Sequence, residues 1–96
     1  MNLKDGNGKV PVYMGGDSPY ILVDFPSKEA FFQLFKRTHH PGSKEKFWEV
    51  LTKRAAGATL SQAGEPYMTK EGVRRIEARF LRLVREAYQA KLFSER

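Results

Sequence analysis

"TLSQAGEPYMTKEGVRRIEARFLRLVR", Thr59 to Arg85, decides how the rest of the chain is read. Thr59 is a helix N-cap by chemistry, because a side-chain oxygen can accept from the amides left unpaired in a first turn. "LSQAGE" is therefore a short helix, and Pro66 forces a break after it, since proline has no N–H and crowds the preceding turn. Thr69 then caps a long final helix. Along it Val73, Ile76, Phe80, Leu83, Ala87 and Ala90 step by three and four, and Leu81, Val84 and Tyr88 widen the stripe into a core-facing surface. Arg74, Arg75, Arg79, Arg82 and Arg85 fall mainly off that stripe, with Glu77 and Glu86 on the surface offsetting part of their charge. A solvated face braced by pairs four residues apart would account for these arginines taken alone.

The context points further. Short helix, tight turn and capped helix make a helix-turn-helix whose second helix carries positive charge at its leading end, the shape that enters a major groove. Ala63 and Gly64 are small enough for a close crossing, and Leu60, Met68, Val73 and Ile76 can share a core. The helix starts also offer exposed amides to phosphates.

Upstream, "KVPVYM" and "YILVDF" are short runs rich in Val, Ile and Tyr, joined through "GGDSP", whose glycines and Asp17 and Ser18 suit a turn. They predict a hairpin, with Pro11 suiting an edge strand; an extended segment docked on the helices is the other reading. Ser27 caps a helix over "KEAFFQLFKR", which "THHPGS" ends, and Ser43 caps another over "KEKFWEVLTKRAA", which Gly57 stops. The fold class is mainly α: a helix-turn-helix bundle of about four helices with an N-terminal β-hairpin. Residues 1–26 form the hairpin or arm and 27–96 the helical domain, in a single folded unit. "YILVDF" has more apolar surface than a lone two-stranded ribbon can bury, so the hairpin is expected to be a dimer edge or a wing.

Composition sets the partner class. The 96 residues suit one domain, and 41% hydrophobic with 12% aromatic is rich enough for a folded core. With 17 Lys+Arg against 11 Asp+Glu the formal charge is +6, which draws the molecule toward polyanions, nucleic acid first. Cysteine is absent, excluding disulfides and thiol chemistry and agreeing with a cytoplasmic location. The N-terminal stretch lacks a signal-peptide apolar core, and no run reaches the roughly 20 apolar residues of a membrane helix. His39 and His40 diverge in a loop with no completing ligand, so no metal is expected; no nucleophile arrangement or phosphate loop points to an enzyme, and no cofactor is expected. Phe31, Phe32, Phe35, Phe47 and Trp48 at helical spacing read as core rather than as base-stacking platforms.

The run Thr59 to Arg85 resembles region 4 of bacterial sigma factors. Thr59, Leu60, Gly64, Thr69, Glu71, Val73, Arg74, Ile76, Glu77, Leu81 and Arg85 fit the family's pattern, and "FWEVLTKRAAGA" looks like the helix preceding it. The chain differs in a turn one residue shorter, in Gly72 where an arginine is frequent, and in Arg75 where a base-reading glutamine is common. The resemblance implies a sequence-specific DNA-binding transcription regulator, bacterial or from a mobile element, with double-stranded DNA as partner. Carried over by position, Lys70, Glu71 and Arg75 would meet base edges, while Thr69, Arg74 and Arg79 would hold phosphate. Those residue types suit the roles: arginine pairs with guanine in bidentate fashion and glutamate accepts from the cytosine amino group. Region-4 modules also dock on RNA polymerase, so the resemblance equally implies a non-catalytic interaction protein that alters initiation. Binding of any nucleic acid through charge alone is the third reading.

Overall fold

The computed structural model describes residues 3–13, 20–36 and 41–94. A single 3-10 turn, Leu3–Gly6, precedes β1 (Lys9–Val12) and β2 (Ile21–Asp24), and four helices follow: α1 (Lys28–Leu34), α2 (Pro41–Ala55), α3 (Leu60–Gly64) and α4 (Lys70–Ser94). The protein is mainly helical with an N-terminal antiparallel hairpin, as its sequence predicts.

Local chemistry explains most of the boundaries. The Ser27 hydroxyl accepts from the Ala30 amide at 3.2 Å and starts α1. Thr59 makes a reciprocal cap on α3: its hydroxyl accepts from the Gln62 amide at 3.2 Å and its own amide donates to Gln62 Oε1 at 3.0 Å. Gly57, at φ +109°, ends α2 in the left-handed conformation, donating to the Arg54 carbonyl while the Ala58 amide reaches back to Lys53, both at 3.0 Å. Two boundaries differ from expectation. Helix α1 stops at Leu34, so only part of "KEAFFQLFKR" is helical, and the stretch 37–40, with both histidines, lies outside the described residues. Helix α2 begins at Pro41 rather than after a Ser43 cap, because proline's missing N–H is harmless in a first turn and its φ suits a helix.

The strands pair in the register Val10 with Val23 and Val12 with Ile21. They differ sharply in burial: Val10, Pro11 and Val12 are buried, whereas Ile21 and Leu22 remain 38% and 46% exposed. The inner strand is thus part of the core, not an arm, and packs with Leu3, Phe31, Phe35, Leu51 and Phe80 in one cluster. Within the two strands, the exposed apolar side chains lie on the outer one. At the centre the aromatic rings interlock, with Phe31 and Phe35 centroids 4.9 Å apart and Trp48 meeting Phe31 edge-on at 5.3 Å. Phe31 and Phe35 are fully enclosed, as their helical spacing predicts.

Candidate nucleic-acid interface

A smaller cluster of Val50, Ala63 and Val73, flanked by Ala58, Leu60 and Met68, holds α3 across the start of α4. Ile76 belongs instead to the main aromatic core. The crossing is close because Gly64 has no side chain: a Cβ there would lie 2.8 Å from Val73 Cγ2. The Gly64 carbonyl closes the turn by accepting from the Tyr67 and Met68 amides at 2.7 and 2.8 Å. Lys53 of α2 braces the same turn, its ammonium donating to the Glu65 carbonyl at 3.3 Å.

Tyr67, at the tip of the turn, is exposed, with the Lys46 ammonium 5.7 Å from its ring centroid. A hydrogen bond to Glu49, reinforced by the repulsion between that carboxylate and a phenolate, raises the Tyr67 pKa above its ordinary value.

Thr69 caps α4, its hydroxyl accepting from the Gly72 amide at 3.3 Å. Thr69, Lys70, Glu71, Arg74, Arg75 and Arg79 are all exposed, on a helix whose opposite face buries Val73, Glu77 and Phe80. The structure therefore gathers the six residues on the first turns of one helix, but it does not leave them equivalent. Arg74 pairs with Glu71 at 3.4 Å, a contact worth a few tenths of a kcal/mol to about 1 kcal/mol at such exposure. Arg79 lays its guanidinium over the Phe35 ring, 5.4 Å from the centroid. Among the described residues no carboxylate pairs with Lys70 or Arg75.

One surface assignment is overturned. Glu77 does not offset the arginines, because it is buried and bound to Arg54 of α2, Nε to Oε1 at 3.1 Å. Its Oε1 also accepts from the Leu3 amide at 2.9 Å, and Arg54 Nη1 donates to the Ala58 carbonyl at 2.8 Å. Buried charge is retained where partners satisfy it, and here the pair ties the N-terminal turn, α2 and the start of the helix-turn-helix to α4. Sequence alone gives no sign that Arg54 meets Glu77, 23 positions away.

With Glu77 withdrawn, the solvent face of α4 is more basic than its composition implies. Arg75, Ala78, Arg82 and Arg85 step by three and four along it, and among the described residues neither Arg82 nor Arg85 has a carboxylate partner. Both line an open groove of about 490 Å³ between α4 and β1, with Ala78, Leu81, Pro11 and Tyr13.

No group of three or more metal-ligating side chains occurs among the described residues, and none of their helices is long and apolar enough to cross a membrane. Comparisons of the chain with protein-family models, with curated proteins and with solved structures find no match, so the likeness to sigma region 4 rests on the residues of Thr59 to Arg85 themselves.

Proposed function

We propose that the protein is a sequence-specific DNA-binding regulator of transcription that places the leading end of α4 in a major groove. The observation that carries this reading is the Gly64–Val73 crossing, which holds α3 against α4 while the capped tip of α4 stays exposed and basic. Lys70, Glu71 and Arg75 are the base-edge contacts; Thr69, Arg74 and Arg79 hold the backbone. Arg75 ranks first among the base readers because no described carboxylate pairs with it, whereas Glu71 must first release Arg74. No catalytic step or cofactor belongs to this reading, and the cytoplasm is its setting.

A second reading, docking on RNA polymerase or another regulator, draws support from the exposed Tyr20, Ile21 and Leu22 of the hairpin, an apolar surface suited to a protein partner or a second copy. Salt dependence separates the two. If the tip neutralises phosphates, log K for duplex falls with log salt by roughly 0.9 per phosphate contact. The Arg74→Ala variant then weakens every duplex similarly and flattens the slope by about one unit. A native slope near zero would favour the protein partner.

A further inference from the structure

The groove between β1 and α4 lies outside the helix tip and takes no part in the roles assigned above. Its walls are chemically unlike. Arg82 and Arg85 supply two guanidinium groups one turn apart on α4, and the opposite side is lined by the buried Pro11 of β1 and by Tyr13, just past the strand and 40% exposed. Glu86, one turn beyond Arg82, does not close on it, so both cations face solvent uncompensated among the described residues. The floor is Ala78, small enough to leave the slot open, and Leu81.

Placement along the helix matters as much as charge. Lys70 to Arg82 is twelve residues and Lys70 to Arg85 fifteen, which at 1.5 Å per residue puts the slot roughly 18 to 22 Å from the tip. A major groove is about 12 Å wide, so when the tip touches base edges this slot lies beyond the groove wall, where the flanking sugar–phosphate strand runs. Arg75, Arg82 and Arg85 share one stripe, so a duplex met by the first is on the side of the other two.

We propose that this slot clasps a flanking phosphodiester of the bound duplex, with Arg82 and Arg85 on the phosphate oxygens and Tyr13, at the end of β1, against the sugar. The inference rests on the DNA-binding reading and adds to it a second contact point, through which the inner strand of the hairpin becomes a wing. Guanidinium groups suit the site because they grip phosphate in bidentate fashion and stay charged at all accessible pH.

The test uses the full chain and two duplexes carrying the same bound site, one with flanking base pairs and one cut at the edge of the site. For the native protein the flanked duplex shows the steeper salt slope. In Arg82→Gln/Arg85→Gln the slope on the flanked duplex falls by about one unit, at roughly 0.9 per phosphate, and the difference between the duplexes disappears. Helicity and thermal midpoint stay native, because both side chains are exposed. A native protein that binds duplex steeply, with the double variant showing the same slope and the same flank dependence, overturns the slot and leaves the helix tip standing. A native protein that binds neither duplex at low salt overturns both.

Discussion

Arg54 and Glu77 meet inside the molecule along two edges, Nε to Oε1 at 3.1 Å and Nη2 to Oε2 at 3.4 Å, with side chains only 5% and 6% exposed. The pair fixes α4 against α2, and through Ala58 and Leu3 it fixes the loop before α3 and the N-terminal turn. Removing one partner strands the other as a buried charge, which costs about 3 to 5 kcal/mol. Glu77→Ala should therefore lower the thermal midpoint by at least about 12 °C, at about 4 °C or more per kcal/mol for a domain of this size. Arg54→Met/Glu77→Leu should recover most of the loss but not all, because the Leu3 amide still lacks its acceptor. A single variant as mild as an ordinary surface change would refute this role.

The Gly64–Val73 contact predicts a coupling. Gly64→Ala drives a methyl group to 2.8 Å from Val73 Cγ2, and overpacking of this kind costs about 1 to 3 kcal/mol. Val73→Ala alone opens a cavity, yet in the double variant the new methyl enters that space. Denaturant unfolding should find Gly64→Ala/Val73→Ala less destabilised than the sum of the single changes by about 1 kcal/mol. Strict additivity would mean that α3 and α4 do not depend on this approach.

Tyr67 offers a pH-dependent readout of the turn. Its pKa is raised, chiefly by the hydrogen bond to Glu49, so the folded state holds the phenolic proton more tightly than the unfolded chain does. The sign follows: this contribution to stability is present below the unfolded value near 10 and is lost as pH rises through the higher folded value. Phenolate absorbance, taken as native minus Tyr67→Phe, isolates the transition, and Glu49→Gln should move it downward. A transition indifferent to Glu49→Gln would remove Glu49 from the contacts that tie α2 to the turn.

How much of this was legible in advance depends on whether the cause is local. Ser27, Thr59, Thr69 and Gly57 act on amides and carbonyls within a few residues, so their caps can be read from the sequence and are found in the structure. Gly64 was legible for the same reason, because only a small residue suits a tight helix crossing. Glu77 was misjudged because acidic residues on a long helix are ordinarily solvated. Its position four after Val73 and three before Phe80 placed it on the apolar face, and that was the available signal. Its partners Arg54 and Leu3 are distant in sequence, and helical periodicity says nothing about which residues meet across a core. The groove is hidden for the same reason: a four-residue strand carries no mark of the helix it will lie beside, so nothing in the sequence sets Arg82 and Arg85 apart from other surface charge.

The central claim, that the tip of α4 reads DNA sequence, is tested most directly by selecting bound sequences from a random duplex pool at fixed salt with the native protein, Arg75→Gln and Arg75→Ala. Arginine favours guanine through its O6 and N7 acceptors and glutamine favours adenine, and one bidentate contact is worth about 1 to 3 kcal/mol of discrimination. The account predicts an enriched motif for the native protein, a changed base at one position for Arg75→Gln, and a relaxed position with nearly unchanged nonspecific affinity for Arg75→Ala. A native pool with no enriched sequence would contradict it.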